Sequence, residues 1–193
     1  MFPFIETLRM VDGKIQHLSY HQARLERTLH HFWPGCPLWS LEALLADSPN
    51  LPGVSKVRVV YNGEGAVQVE YASYVPRTIH QLRLVNCDDI DYAFKSTDRS
   101  CLTQLASQKG EADEIIIVRH GLLTDTSYSN IALYDGHFWY TPREPLLKGT
   151  MRQYLLDQGR IVEQNLTESD YHRCTKIALI NAMLPLGTCV VER

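Results

Sequence analysis

The stretch Phe4-Ile5-Glu6-Thr7-Leu8-Arg9-Met10-Val11-Asp12-Gly13-Lys14-Ile15-Gln16-His17-Leu18 decides the fold class, because a hairpin signal runs straight into a helix signal. Phe4 to Met10 is strand-like, Asp12-Gly13 supplies a tight turn, and Lys14 to Leu18 returns. Directly downstream, Ser19 and Gln22 have the spacing of a capping box, which predicts a helix through about Phe32. Ala23, Leu25 and Leu29 form its apolar face, and Pro34-Gly35 ends it. A short helix is expected over Ser40 to Ala46, then a turn-rich stretch from Asp47 to Gly53. Two strands follow, Val57 to Tyr61 and Ala66 to Tyr71, joined by Asn62-Gly63-Glu64-Gly65. Residues 1–75 thus read β-β-α-α-β-β, a small α+β domain.

Further along, Ser73 to Thr78 carries Pro76 and reads as loop. Residues 76–80 are the expected linker to a larger α+β domain over 81–193. There a strand is expected from Gln81 to Asn86 and a helix from Arg99 to Lys109, stopped by Gly110. An apolar strand, Glu114 to Arg119, turns at His120-Gly121. Asn130 to Tyr134 pairs with His137 to Tyr140 across Asp135-Gly136. Thr150 to Gln158 reads as a helix, Ile161 to Leu166 as a strand, Thr167 as a helix start, and Ile177 to Asn181 as a buried strand followed by another from Met183 to Val191. Strands and helices mixed without strict βαβ alternation favour α+β over a doubly wound sheet.

Composition narrows the function. A net charge of -3 with no basic cluster gives no footprint for nucleic acid. The five cysteines, Cys36, Cys87, Cys101, Cys174 and Cys189, are scattered without a C-x-x-C pair. That argues against a disulfide framework and a structural zinc site, and for small hydrophobes in a reducing compartment. Met1 to Glu6 places an acid early with no basic stretch, unlike a signal peptide. No apolar run reaches the ~18 residues of a membrane helix. A cytoplasmic protein without membrane or nucleic-acid partners is expected. His30-His31 are adjacent and point to different sides of a helix, a poor metal pair, so no metal is expected.

No G-x-G-x-x-G, P-loop, G-x-S-x-G or H-E-x-x-H occurs. Among Lys14, Lys56, Lys95, Lys109, Lys148 and Lys176, only Lys95 is mildly distinguished, by the apolar run Tyr92-Ala93-Phe94 before it. A surface lysine at a strand end reads the same way. Four segments change this. They are His21-Gln22-Ala23-Arg24-Leu25, then Phe94-Lys95-Ser96-Thr97-Asp98, then Gly121-Leu122-Leu123-Thr124-Asp125-Thr126-Ser127-Tyr128-Ser129-Asn130. The fourth is Tyr140-Thr141-Pro142 with Leu147-Lys148-Gly149-Thr150-Met151-Arg152-Gln153, and Asn181-Ala182-Met183-Leu184-Pro185 follows near the end. Singly, each suits a surface arginine, a turn residue or an ordinary helix start.

Together and in this order, they resemble fold-type IV enzymes that depend on pyridoxal 5'-phosphate (PLP). That family comprises branched-chain and D-amino acid aminotransferases and 4-amino-4-deoxychorismate lyases. The resemblance implies a two-domain fold of the D-amino acid aminotransferase type. It implies that Lys95 forms the Schiff base, that Arg24 contacts the phosphate, and that Asp125, with Asn130 closing its motif, pairs with the pyridine nitrogen. The backbone at Gly149, Thr150 and Met151 and the Asn181-Ala182 turn would bind the phosphate. Free N–H groups at a helix start suit an anion, and a protonated ring is the electron sink such chemistry needs. The implied substrate is a small amino acid or an amino-chorismate, and the implied assembly a homodimer. GTMRQ and NAMLP look closer to the lyase branch.

Three departures qualify the resemblance. Asp125 stands where the family usually has Glu, so contact with the ring nitrogen needs a shifted backbone or a water. Asp98 takes the place of an Asn and brings a negative charge near Lys95. The chain begins at the family's second strand and stops soon after the last motif, shortened at both ends. The family's substrate-carboxylate residues therefore do not carry over, leaving Arg77, Arg83, His80 and Tyr61 as polar candidates without roles. The shortened ends motivate a second expectation, a non-catalytic relative that binds PLP or only keeps the fold and serves as an interaction protein.

Overall fold

Strand β1 (Phe4–Val11) turns one row of side chains, Phe4, Glu6, Leu8 and Met10, into the interior, where they meet helix α1 (Leu18–Phe32). In the computed structural model, which describes residues 3–193, β1 lies in a four-stranded antiparallel sheet. The order is β2 (Lys14–Ile15), β1, β3 (Val54–Asn62), β4 (Gly65–Ser73). Met1 and Phe2, the first residues of the stretch read above as unlike a signal peptide, lie outside the described residues. Asp12 and Gly13 take positive φ at the β1–β2 turn, as an Asp-Gly pair should. Leu25 and Leu29 of α1, Leu41 of the short helix α2 (Leu41–Leu44), and Val57, Val59 and Tyr61 of β3 complete this core.

The expected capping box at Ser19 and Gln22 does not form. The helix begins two residues earlier, behind His17 at φ +53°, so Ser19 falls inside the first turn. Gln22 instead ties α1 to α2: its Oε1 accepts from the Leu41 N–H at 2.8 Å and its Nε2 donates to the Trp39 carbonyl at 2.9 Å. The cap that does form nearby is Ser40, whose hydroxyl accepts from the Ala43 N–H.

The segment Phe94–Asp98 belongs with residues up to Val75 in one compact unit, while 76–93 and 99–193 form the other. The reason is backbone pairing. Near Phe4 the edge of β1 away from β3 is not covered by β2, which pairs only with Met10 and Val11. Segment 94–98 covers it: Ile5 N–H donates to the Lys95 carbonyl at 3.0 Å and Thr97 N–H to the Pro3 carbonyl at 2.9 Å.

The second unit holds two sheets. In the smaller, β5 (Leu82–Asn86) pairs parallel with β6 (Glu114–Arg119), and β6 pairs antiparallel with β7 (Leu122–Leu123). The crossover is α3 (Ser100–Ala106) with a 3-10 turn over Ser107–Lys109, stopped by Gly110 at φ +61°. Ile115 to Val118 of β6 form an unbroken apolar run because the strand feeds two cores, Ile116 and Val118 on one side, Ile115 and Ile117 on the other. The larger sheet runs β10 (Val162–Gln164), β9 (Trp139–Pro142), β8 (Asn130–Tyr134), β11 (Lys176–Ile180), β12 (Val190–Glu192). Helix α4 (Thr150–Asp157) packs Met151 and Leu155 against it, and α5 (Glu168–Arg173) starts in a complete Thr167/Asp170 capping box.

Two expected strands shift. The partner of β8 starts at Trp139 rather than His137, because Asp135 Oδ1 accepts from the N–H groups of His137 and Phe138 and curls them into the turn. Of the tail after Met183, only Val190–Glu192 is strand. Among the described residues, no helix is long and apolar enough to cross a membrane. Leu25 is fully buried between α1 and the first sheet, so Leu25→Ala should cost about 2–5 kcal/mol. A fall in the urea midpoint at unchanged m would show it.

Candidate active site

In the first unit the site starts from Glu6, fully buried in the inward row of β1. His21 and Arg24 lie on the buried stripe of α1, which continues through Leu25, Thr28 and Leu29 at helical spacing. Arg24 grips Glu6 with two prongs, Nε to Oε1 at 2.8 Å and Nη2 to Oε2 at 2.6 Å, while His21 Nδ1 lies 2.6 Å from Oε2. Burial pushes the Glu6 carboxyl up, but the Arg24 charge and the His21 and Arg24 hydrogen bonds outweigh it and hold the group at about 2. His21 goes the other way: burial lowers its pKa despite Glu6, so it is a neutral imidazole that donates its Nδ1–H. Lys95 is half-buried, its backbone hydrogen-bonded next to Glu6, and its charge is among those acting on His21. Arg24 is thus fixed on the buried Glu6 carboxylate, and the Lys95 backbone is registered one residue from it.

In the second unit the centre is Asp125, also buried. Its Oδ1 accepts from the Asn130 amide at 2.9 Å and its Oδ2 from the Leu147 N–H at 2.9 Å. Asn130 donates a second time, to the Leu147 carbonyl at 2.8 Å. Both donors to Asp125 are neutral. Burial raises its pKa to about 7, against the lowering pull of Leu147 and Asn130 and the more distant charges of Arg152 and Arg119. Gly149 follows closely in this loop: a Cβ there would lie 2.0 Å from Asn130 Oδ1, so only glycine lets the loop approach the Asn130 side chain. Helix α4 opens at Gly149 without a side-chain cap. Arg152, buried, holds its first turn by donating to the Pro142 carbonyl at 2.7 Å and to Glu163 at 2.6 Å.

The structure thus joins Asp125, Asn130 and Gly149 through Leu147, with Thr150 and Met151 on the next turn. The Met151 side chain is core, so only its backbone can serve a ligand. Asn181 and Ala182 sit in a separate turn, where Asn181 donates to Ser129 Oγ at 2.8 Å and accepts from the N–H groups of Met183 and Leu184. Of the roleless polar candidates, Tyr61 is core and the His80 backbone N–H donates to Asp113. Arg77 lies over the Tyr128 ring at 5.8 Å, and Arg83 lies beside Gly110. Sequence reasoning missed Glu6, although its alternation with Phe4, Leu8 and Met10 placed a charge on the apolar face. It also missed Glu114, a buried carboxylate whose Oε2 accepts from Ser127 Oγ and which fixes the loop after Asp125.

Taken unit by unit, these groups have the chemistry PLP requires: in the second, a desolvated carboxylate with neutral donors suits a cationic ring nitrogen and a helix start without a side-chain cap suits a phosphate; in the first, a half-buried lysine amine suits an aldehyde. Among the described residues, no group of three or more His, Cys, Asp and Glu could hold a metal.

A pH dependence follows. With a folded pKa near 7 against 3.8 unfolded, Asp125 keeps its proton to higher pH when folded. Its contribution is therefore complete below about pH 4 and is lost as pH rises toward 7, by up to about 4 kcal/mol. Urea titrations of cofactor-free protein across pH 4–8 should show that loss, and Asp125→Asn should flatten it. An identical slope in the variant would assign the effect elsewhere. Gly149→Ala should displace Asn130 and cost about 1–3 kcal/mol in the same titration.

The amino-transferase class IV profile matches residues 4–189. An uncharacterized protein of Haemophilus influenzae is 37% identical over 186 residues, 95% of this chain and 98% of that protein. A Schizosaccharomyces pombe protein, provisionally an aminodeoxychorismate lyase, is 23% identical over 175 residues, 81% of this chain and 74% of that one. The crystal structure of a protein from Haemophilus somnus, provisionally a 4-amino-4-deoxychorismate lyase, superposes with a TM-score of 0.90 at 35% identity. It covers 96% of this chain and 98% of its own. At 17% identity and a TM-score of 0.78, a PLP-bound hypothetical aminotransferase from Mycobacterium tuberculosis shares the fold over 99% of this chain and 80% of its own. With the profile spanning nearly the whole α+β chain, the protein belongs to the amino-transferase class IV family of PLP-dependent aminotransferases and lyases.

Proposed function

We propose that the chain is a PLP-dependent lyase acting on 4-amino-4-deoxychorismate, with Lys95 as the residue that holds the cofactor. One observation carries the cofactor assignment: the buried Asp125 carboxylate, gripped by an amide and a backbone N–H and pushed up to about 7. A cationic N–H set against it would offset its burial. PLP, when bound, supplies a protonated ring that draws electrons from the amino-bearing carbon of the substrate. The remaining work falls to the chain. The Lys95 amine holds the cofactor and, once released, moves a proton at the substrate's amino-bearing carbon. Asp125, braced by Asn130, keeps the ring nitrogen charged. Arg24, the backbone N–H groups of Gly149, Thr150 and Met151, and the Asn181-Ala182 turn anchor the phosphate.

The Haemophilus somnus and Schizosaccharomyces pombe relatives and the GTMRQ and NAMLP segments support lyase chemistry. The family's own description favours a second reading, transamination of a small amino acid by the same residues. A cytoplasmic homodimer completes the proposal, and light scattering of the purified protein should give twice the 22.1 kDa chain mass.

Borohydride treatment of PLP-loaded protein should fix the cofactor on Lys95 in a peptide map, and Lys95→Ala should take none covalently. Fixation at another lysine ends the assignment. Protein that takes up no PLP is the fold-only interaction protein instead. With cofactor bound, catalytic consumption of 4-amino-4-deoxychorismate supports the lyase. Stoichiometric conversion to pyridoxamine phosphate by a panel of D- and L-amino acids supports the aminotransferase. Asp125→Asn should keep PLP and lose roughly hundredfold or more in turnover.

A further inference from the structure

We infer that Glu6 is a positioning residue for phosphate recognition: its buried carboxylate aims the Arg24 guanidinium and cancels its charge, so that the phosphate is read by directed N–H groups and not by excess positive charge. This rests on the reading that Arg24 meets the phosphate.

The geometry is that of a built device. Glu6 accepts from Arg24 Nε at 2.8 Å, from Arg24 Nη2 at 2.6 Å, and from the His21 ring at 2.6 Å. A two-pronged grip fixes the plane of a guanidinium, which a single contact does not. Arg24 is held at its backbone as well, where the Thr28 hydroxyl donates to its carbonyl at 3.0 Å. His21, neutral, contributes a donor without adding charge.

The fold does not require this carboxylate. Glu6 stands in a row with Phe4, Leu8 and Met10, opposite Val59 of β3, and an apolar side chain would continue that row. Buried ion pairs exchanged for well-packed apolar groups are often neutral or stabilising, so a structural need alone is a weak account of Glu6. Charge neutralisation alone is the competing account. Arg24 and Arg27 act on one another electrostatically, and Lys95 acts on His21 in the same cluster. Without Glu6 the cluster would be markedly more positive.

The two accounts predict opposite signs. If Glu6 only neutralises, Glu6→Gln leaves more positive charge beside the phosphate and PLP binds more tightly. If it positions Arg24, the variant binds PLP more weakly despite that charge. The full chain, freed of cofactor, is titrated spectroscopically with PLP and with pyridoxal, which lacks the phosphate. Glu6→Gln should weaken PLP by roughly tenfold to hundredfold, the worth of charge-assisted hydrogen bonds, and leave pyridoxal within about twofold. Glu6→Asp, which keeps the charge but withdraws it by one methylene, should give a smaller loss with the same selectivity, and it serves alone should Glu6→Gln not fold. Tighter PLP binding, or equal weakening of PLP and pyridoxal, overturns the inference. Arg24→Gln is the reference: it should also lose PLP selectively. An unchanged PLP-to-pyridoxal ratio there means that Arg24 does not meet the phosphate, and the Glu6 inference falls with that reading. A selective loss in Arg24→Gln but not in the Glu6 variants overturns the Glu6 inference alone.

Discussion

A carboxylate taken out of water must find compensation, and the two units of this protein answer that constraint in opposite ways. Glu6 is matched by a full charge on Arg24 and stays ionised down to about pH 2. Asp125 is matched by dipoles, the Asn130 amide and the Leu147 N–H, and is held so weakly that its pKa rises to about 7. The first arrangement is complete in itself and resembles a fixed mount. The second has spare capacity for positive charge, which is what a site for a protonated ring needs. The same side-chain chemistry is thus fully compensated in one place and only partly in the other, and the difference lies in the partners rather than the residue type.

Much of the framework was legible because local signals act locally. Asp12-Gly13, Gly110 and Thr167 each do what their conformational preferences dictate, and β6 announces its burial by an unbroken apolar run. The signals that misled were ones with a competing use. Ser19 and Gln22 have capping-box spacing, but Gln22 is worth more bridging two helices, and His17 takes the left-handed turn that starts α1. The segment around Lys95 could not be placed from sequence, because its partner is an uncovered strand edge some 90 residues earlier, visible only once β2 is seen to pair with so little of β1. The four motifs do not include the buried carboxylates that brace them. Glu6 and Glu114, which orient them, lie outside the motif pattern and show only as charged residues on apolar strands.

The substitution of Asp for the family's usual Glu at position 125 has a physical counterpart in the loop that holds it. A shorter side chain has less reach but fewer rotamers, and here both oxygens are fixed by hydrogen bonds to Asn130 and Leu147. Asn130 spends both amide hydrogens on this loop, one on Asp125 and one on the Leu147 carbonyl, and presses its oxygen against Gly149. It therefore braces the acid and the helix start as one piece. What the short side chain gives up in reach it regains in definition, provided residue 149 stays without a Cβ.

An equivalent economy operates in the first unit. Lys95 is not on a strand of its own, yet its backbone is registered to β1 by the Ile5 N–H, one residue from Glu6, and Glu6 in turn sets Arg24. Two residues distant in sequence, 24 and 95, thereby take their positions from the same two or three residues of one strand. A sheet strand is a better reference than a loop because its hydrogen bonds leave little freedom along its axis. Any change that slides β1 against β3 by one residue would also turn Glu6 out of the interior, since side chains alternate faces. The register Phe4 opposite Tyr61 and Glu6 opposite Val59 thus fixes the setting of Arg24 and of the Lys95 backbone along with the fold. The backbone ladder of β1 on β3 holds that register, and Phe4 packs at its end against Tyr61, Phe32 and Phe94.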